Sequence, residues 1–352
     1  MRITLPAGDQ NILPKSRRKR IVVLSTLGLF AASGIVYAVY KTIDYPVSRD
    51  EHHRETRLNV LMSIPYGSLT LLAGTKPDDV ALLQMQSADD DMIPFHARYS
   101  YNPVGTTGTL RITIGSDEGM LETNRPLAQA WKANSNFSLA GTNATHSDYG
   151  DISPSGSAFD LMKPPPEIAH DENDHAKVFL TRDIPLSISA QLGFGESLLD
   201  WTGLSLTCAY VETGSAKTAI RIREHNPIPM SFCKINAGFG EFSMDGIADL
   251  NADRFVFSGG VGYYNLGFNG KLTKNLDATI EVGMGKVAVN IPPEAGRVQV
   301  VYDDSYFSSF SFSGLTKRRD GYYTSVGFDQ SKAPTLTLRL SSGLGKMIVN
   351  YK

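Results

Sequence analysis

Glycine pairs separated by one residue recur through the second half of the chain at nearly constant intervals, and no other feature restricts the fold as much. Each unit reads as a strand, a glycine pair and a second strand, as in ATIEVGMGKVAVNIP. The first glycines of successive units stand at positions 193, 214, 238, 260 and 283. Because glycine accepts positive φ and lets neighbouring backbone approach closely, the chain can turn sharply at one place in every unit. The glycines given this structural role are Gly193, Gly195, Gly214, Gly238, Gly240, Gly260, Gly262, Gly283, Gly285, Gly343 and Gly345.

This spacing predicts an all-β fold made of stacked strand repeats. A unit of about 22 residues cannot bury its own apolar face, whereas stacked units share a continuous core. We expect the stack, a β-solenoid or a toast-rack-like arrangement, over residues 184–352, with residues 302–334 as an insertion that breaks the period. The alternative is a β-sandwich whose hairpins happen to be evenly spaced. The 32 glycines, which follow no collagen period, agree with either architecture.

An uncharged run, IVVLSTLGLFAASGIVYAVY, occupies residues 21–40. As a helix it would span roughly 30 Å, the thickness of the hydrocarbon core of a bilayer. The basic sequence KSRRKR comes directly before it. Since positive charge stays in the cytoplasm, we predict a single-pass protein of the bacterial inner membrane. Residues 1–20 would be a cytoplasmic tail, and the rest of the chain would be periplasmic or extracellular.

Two other interpretations of this run remain open. It could be a cleaved signal peptide, because Val36-Tyr37-Ala38 is a tolerable cleavage site, although the run is longer than the usual apolar region of a signal. It could also be a buried core helix, but the adjoining basic cluster is atypical of one. The anchor and the signal peptide both place the remainder of the chain outside the cytoplasm.

The exported part divides by composition. Residues 41–56 are polar and predict a juxtamembrane linker, and residues 57–123 contain short strand candidates such as LRITI and predict an N-terminal β region. Residues 124–183 are rich in Asn, Ser, Thr, Gly, Pro and Asp, and predict a polar loop or linker before the repeat domain.

Charge disfavours a nucleic-acid partner. The net charge is −2, but residues 1–20 hold six basic side chains and one acid, which makes the remainder of the chain mildly acidic. Binding to phosphates needs a basic face, which a mildly acidic domain does not offer.

The two cysteines are Cys208 and Cys233, and the interval between them is close to one repeat. If successive units stack, the two could lie on adjacent units within reach of a disulfide. The alternative is that they are separate small buried residues.

The repeat resembles the "toast-rack" β-repeat domain of bacterial envelope proteins, and it is similar to the C-terminal region of LiaF-type proteins of the cell-wall antibiotic response. The resemblance depends on Gly193-Phe194-Gly195 with the following LLDWTGL, on the turn Glu212-Thr213-Gly214 and on Gly283-Met284-Gly285. Residues 57–72 look like a degenerate earlier copy. The resemblance implies an envelope location and a β stack, without catalytic residues. The chain departs from LiaF-type proteins in having one hydrophobic segment rather than several.

Motifs that carry chemistry are scarce. The sequence contains no P-loop, dinucleotide fingerprint, nucleophile elbow or zinc spacing. The cluster HDENDH at residues 170–175 offers metal-ligand side chains, but its spacing matches no known loop, and a solvated loop is the better interpretation. Aromatic residues in 302–334 could form a binding patch, although core filling is favoured.

We therefore predict a membrane-anchored, non-enzymatic envelope protein, without a cofactor, that acts as a β scaffold for binding or adhesion. Its partners would be the lipid bilayer and a protein of the envelope. An envelope-stress sensor or regulator that works through a membrane partner is one alternative. A surface glycan-processing enzyme is another, and it would need paired carboxylates facing one groove.

Overall fold

A computed structural model describes residues 41–49, 55–74, 76, 78–87, 95–115, 175–303 and 306–352. The prediction of an all-β fold with stacked strands is confirmed. The strands are β1 (Lys41–Ser48), β2 (Arg57–Tyr66), β3 (Ser68–Ala73), β4 (Asp79–Ser87), β5 (Phe95–Asn102), β6 (Thr107–Ile114), β7 (His175–Leu180), β8 (Leu186–Asp200), β9 (Leu206–Arg221), β10 (Met230–Asp245), β11 (Ala252–Gly267), β12 (Leu276–Ile291), β13 (Arg297–Tyr302), β14 (Ser308–Ser313), β15 (Leu315–Arg319), β16 (Tyr322–Ser325) and β17 (Thr335–Tyr351). Short 3-10 turns occur at Ile247–Leu250 and Pro293–Ala295.

Each long strand is one unit of the stack, bent in its middle at the glycine pair. In β12 the buried side chains before the bend are at even positions, ending with Val282, and those after it are at odd positions, starting with Val287. Between them Gly283, Met284 and Lys286 are exposed and Gly285 is half-buried. Since side chains alternate along a strand, this change of parity shows that the two halves fold toward each other and bury their inner faces together. We call the bend the corner and the halves the first and second arms.

The long strands β8, β9, β10, β11, β12 and β17 pair in parallel and almost perfectly in register. First arms therefore form one sheet and second arms another, and the apolar core lies between them as one continuous cluster. This is the arrangement of a stack rather than of a β-sandwich formed from hairpins. The corners coincide along one edge of the stack, which we call the corner edge, and the connections between units lie along the opposite edge.

The N-terminal strands continue the same stack. β2 and β3, which meet at a corner at Gly67, pair in parallel with the two arms of β8. β6 and β7 form the next unit, pairing in parallel with β2 and β3 respectively. β4 and β5 are antiparallel to β7 and β6 and cap this end, with β1 antiparallel on β4.

The C-terminal end is closed by a change in chain order. β13 and β14 are the two arms of the last unit, and β17 inserts between that unit and β12. β15 and β16 form an antiparallel hairpin beside β13. An aromatic cluster closes the core here: the Tyr302 ring lies 4.7 Å from that of Phe310, and the Phe312 ring stacks on Tyr323 at 4.1 Å.

Several predicted boundaries differ from the structure. The predicted linker 41–56 contains β1, whose pairing with β4 was hidden by its polar composition. The predicted loop 124–183 ends in β7, and the β region 57–123 belongs to the same stack as the repeats because β2 and β3 pair directly with β8. The insertion 302–334 contributes β14, β15 and β16, which form the end cap.

Residues 1–20 and 21–40, the predicted cytoplasmic tail and transmembrane helix, lie outside the described residues. Within the ranges that the structure describes, no helix combines the length and apolar character needed to cross a bilayer.

Backbone packing leaves no space for a side chain at the corner glycines. A Cβ on Gly285 would lie 2.0 Å from the carbonyl oxygen of Gly262, and one on Gly345 would lie 1.9 Å from that of Gly285. Gly285 also has φ +135°, a conformation that L side chains rarely adopt. The first glycines stack in the same way, since a Cβ on Gly214 would lie 2.8 Å from the carbonyl oxygen of Gly193.

Replacing Gly285 by alanine should destabilise the protein by about 2–4 kcal/mol, because backbone strain and a clash with a fixed carbonyl add together. Gly74→Ala is the matched control: Gly74 has φ +129°, yet nothing lies within 4 Å of the position its Cβ would take. Urea unfolding of both variants separates strain from the clash. Equal losses of stability would contradict the importance of close approach at the corner.

Arg49, just after β1, fastens this edge strand to the stack. Its Nε lies 3.2 Å from the Glu55 carboxylate, whose side chain is 1% exposed, and its Nη2 donates to Thr181 Oγ1 at 3.2 Å. Burial, together with the nearby Glu55 carboxylate, raises the pKa of the Tyr99 hydroxyl above its ordinary value, so Tyr99 stays neutral. The ion pair therefore lies in a site largely shielded from water.

Arg49→Ala should cost about 3–5 kcal/mol of stability, because it leaves the buried Glu55 carboxylate without a cation. Lys217→Ala is the control, since the pair of Lys217 with Glu196 is largely exposed and should contribute about 0–1 kcal/mol. Thermal unfolding at neutral pH measures both. If the Arg49 variant unfolds at the same temperature as the Lys217 variant, the ion pair between Arg49 and Glu55 does not hold β1 in place.

Candidate functional site

The middle residues of the glycine pairs form an exposed apolar line along the corner edge. Strand register places Tyr66, Phe194, Ser215, Phe239, Val261, Met284 and Leu344 side by side on successive units. Phe307 continues the line, since it precedes Ser308, which pairs with Gly345. We call the apolar members Tyr66, Phe194, Phe239, Val261, Met284, Leu344 and Phe307 the corner ridge. Phe194, Phe239 and Leu344 are 45–46% exposed although they are large and apolar.

A groove crosses the outer face of the second arms next to this ridge. It consists of two adjoining depressions of about 310 and 320 Å³ that share Ser243 and Asn265. Small residues form its floor where the register aligns Ala219, Ser243, Asn265 and Ala288. The rim on the ridge side comprises Lys217, Glu241, Tyr263 and Lys286, and the far rim comprises Arg221, Asp245, Gly267 and Asn290.

Hydrogen bonds order the far side of the groove. Asn290 donates to Asn265 Oδ1 at 2.9 Å, and Asn350 donates to Asn290 Oδ1 at 3.0 Å, so amides on neighbouring strands form a ladder. Asn269 donates to Asp245 Oδ1. Gly267 lies between Asp245 and Asn290 and leaves space for the Asp245 carboxylate, since a Cβ on Gly267 would lie 2.5 Å from Asp245 Oδ1.

The arrangement suits binding of a polar, extended ligand. Amide, carboxylate and guanidinium groups can donate and accept hydrogen bonds, and Tyr263, which is 66% exposed, offers an aromatic face at the rim. Beneath it, burial raises the pKa of Tyr264 to about 12, and its hydroxyl donates to the Gly238 carbonyl oxygen at 3.4 Å. Tyr264 is therefore a core residue that supports the groove from below.

The possible disulfide between Cys208 and Cys233 is not formed, and both are free thiols, in agreement with the alternative of two separate cysteines. Cys208 aligns with Phe232 and Cys233 aligns with Ala209, so the two side chains lie on adjacent strands but on opposite faces. Cys208 Sγ lies 3.0 Å from Ser187 Oγ, whereas Cys233 is fully buried in the core. Burial, and to a smaller extent Cys208, raises the pKa of the Cys233 thiol.

The other candidate ligands give no cluster that the structure brings together. Of the sequence HDENDH only His175 is described; its Nε2 lies 2.8 Å from Thr70 Oγ1, and burial lowers its pKa. Among the described residues, no group of three or more His, Cys, Asp or Glu side chains could hold a metal ion. Of the late aromatics, Phe310 and Phe312 pack against the core, as predicted, while Phe307 is exposed at the ridge.

Sequence reasoning missed the ridge and the groove, although a signal was present. Aligning the units on their glycines places Phe194, Phe239 and Met284 in one column. It also places Tyr263 two positions after the middle residue of its unit, level with Lys217 and Lys286. An apolar column between two glycine columns, at the outside of a bend, indicates an exposed line.

The cysteines provide a test of the register. After denaturation without reductant, iodoacetamide should modify both thiols. In the folded protein Cys233 should react about 100-fold more slowly than an accessible thiol, because it is buried and uncharged. Intact-mass spectrometry of the chain isolated under oxidising conditions measures both results. A denatured, unreduced chain that resists alkylation would show a bridge and contradict the observed register.

Comparisons with known proteins leave the chain without an assigned family. No family model and no curated protein matches it, so the toast-rack and LiaF-type resemblance stays a prediction. Among solved structures, a candidate cell adhesion protein from Clostridium sporogenes is similar with a TM-score of 0.37 and 13% identity, over 89% of this chain and 100% of that one. A candidate adhesin from Bacteroides fragilis is similar with a TM-score of 0.32 and 11% identity, over 88% and 96%. Likenesses this weak establish neither a shared fold nor a shared function for this chain, whose β stack is described by its own strand register.

Proposed function

We propose that the protein is a non-enzymatic, membrane-anchored envelope protein whose β stack is a scaffold that binds a protein partner, as adhesion requires. The observation that supports this most directly is the groove on the outer face of the second arms. Its floor of small residues, its amide ladder and its exposed Tyr263 would accommodate an extended polypeptide, with hydrogen bonds available along its length.

The anchor is part of this proposal. Residues 21–40 carry no charge and are followed at once by Lys41, the first residue of β1. A helix over these residues would hold the stack at the membrane, with residues 1–20 inside the cell. The scaffold would then present its groove to partners outside the cytoplasm.

Binding explains the groove better than hydrolysis does. Its carboxylates Glu241 and Asp245 lie four positions apart on β10, roughly 13 Å along an extended strand, which is wider than the carboxylate pairs of glycosidases. A regulatory role would work through a membrane partner, which the identity of the protein bound in the groove would reveal.

A photocrosslinking amino acid placed at Tyr263 of the full chain, in the cells that produce it, should give a discrete adduct with one envelope protein. Ser243→Arg in the same chain should reduce that adduct about tenfold, equivalent to about 1.4 kcal/mol, because Ser243 forms part of both depressions.

Val104 is the control position, since it is 95% exposed in a turn on the opposite edge of the stack. Adducts of equal size and intensity from positions 263 and 104 would contradict a partner site in the groove. If the adduct is with a signalling protein of the inner membrane, the regulator alternative replaces adhesion.

A further inference from the structure

The corner ridge is long and mainly apolar. Strands of a sheet lie about 4.8 Å apart, so the line from Tyr66 to Phe307 extends about 34 Å. Adjacent members support each other: the rings of Tyr66 and Phe194 stack, with centroids 5.6 Å apart. Six of these large apolar side chains are exposed, whereas Val261 is half-buried and Ser215 interrupts the row between Phe194 and Phe239. Such a row is unusual on a surface exposed to water alone, and exposed apolar rows mark sites of contact with a protein or a membrane.

The chain enters the stack at this same edge. β4 runs antiparallel to β7, with Gln86 opposite His175, and therefore ends at the corner edge. β1 is antiparallel to β4, with Lys41 opposite Ser87, so its first residue also lies at the corner edge. The uncharged residues 21–40 precede Lys41 without any linker. A membrane helix over these residues would hold the corner edge, and not the opposite edge, close to the bilayer.

The residues beside the ridge match a membrane interface. The row that follows each second glycine contains Lys217, Tyr263, Lys286 and Lys346, together with Glu196 and Glu241. Tyrosine is enriched at interfaces, and long lysine side chains can reach the headgroups while their stems cover apolar surface. The connections at the opposite edge also present exposed charged residues, such as Arg223, Glu224, Lys271 and Glu294, but the exposed apolar residues there, Val104 and Val326, lie singly.

We propose that the corner ridge lies on the lipid bilayer, with its apolar side chains among the headgroups and upper acyl chains and with the axis of the stack parallel to the membrane. This inference rests on the proposed anchor. A peripheral row of this kind inserts only a few ångström, and its attraction is mainly apolar because the neighbouring lysines and glutamates nearly balance. The groove then faces sideways, beside the membrane, where an envelope partner can reach it.

The test uses the full chain reconstituted into vesicles of neutral phospholipid, in a Cys208→Ser background that leaves only the buried Cys233. A single fluorophore is attached at Phe239→Cys or Leu344→Cys on the ridge, and at Val104→Cys or Val326→Cys on the opposite edge. Val326 follows β16, which runs away from the corner edge, so both controls are exposed apolar sites. Brominated lipids should quench the ridge probes at least about twofold and leave the control probes unchanged.

The outcomes separate the ridge from the anchor. Flotation of the vesicles in a density gradient shows whether the protein is attached to them. If the protein floats, but brominated lipids quench the ridge probes no more than the control probes, the anchor is supported and the ridge inference is wrong. If the protein does not float, both fail. Quenching of the ridge probes by a water-soluble quencher that falls as the protein concentration rises, at a fixed ratio of lipid to protein, would assign the ridge to a contact with a second copy. That result also overturns the inference.

A second measurement does not depend on substitutions. Backbone carbonyls of a β stack lie along its axis, so polarised infrared spectra of the unmodified protein in oriented bilayers report the direction of that axis. The transition dipole of the β-sheet amide I band should lie in the membrane plane. A transition along the membrane normal would mean that the stack stands upright, which would also overturn the inference.

Discussion

The stack depends on how closely the backbones of successive corners approach one another. At the corner of β12 the space between two units is filled by a carbonyl oxygen, and a methyl group on Gly285 would lie 2.0 Å from it. Close approach is common to the corners whose second residue is glycine, whereas positive φ is not. Gly240 and Gly285 have positive φ, but Gly262 does not, although a Cβ there would lie 2.0 Å from the carbonyl oxygen of Gly240. The corner of β9 has Ala216 at this place and is the exception. The constraint is thus primarily steric, and the left-handed conformation is one of the ways in which a corner satisfies it.

Because the corners fix the register between neighbouring units, they also fix which side chains become neighbours. A shift of one residue would exchange the buried and exposed faces of an arm. The register therefore brings Tyr66, Phe194 and Met284 into one exposed line and sets the amide of Asn350 on that of Asn290. Neither the corner ridge nor the amide ladder beside the groove is encoded in one segment of the sequence. Each arises from the same position in several units, which is why binding surfaces of stacked repeats tend to be long and regular.

The middle of the stack was predictable because the corner glycines are local and repeated. Residues 57–72 were also identified as an earlier copy, since the break at Tyr66-Gly67 resembles a corner and β2 and β3 do pair with β8. The β6–β7 unit could not be found in this way, because its arms are separated by residues 115–174 and no local pattern connects them. β1 was hidden by its aspartate and proline, residues that protect an edge strand rather than fill a core. The sequence left a bridge between Cys208 and Cys233 open, and the register decides against it. The interval between the two looks like one repeat, but it exceeds the interval from Gly214 to Gly238 by a single position, so the strand partner of Cys208 is Phe232. That single position changes the face of the sheet, and a bridge between opposite faces is geometrically excluded.

The ends of the stack are stabilised by other contacts than its middle. A parallel stack would leave an apolar cross-section open at each end, so the terminal units must be covered. At one end the direction of the chain reverses in β4 and β5, and Arg49 holds the edge strand through the buried Glu55 carboxylate. At the other end Tyr302, Phe310, Phe312 and Tyr323 fill the cross-section. These caps need no corner glycines, because nothing stacks on their outer side. The glycine repeat is therefore confined to the units that have a neighbour on both sides, and it marks the interior of the stack rather than its limits.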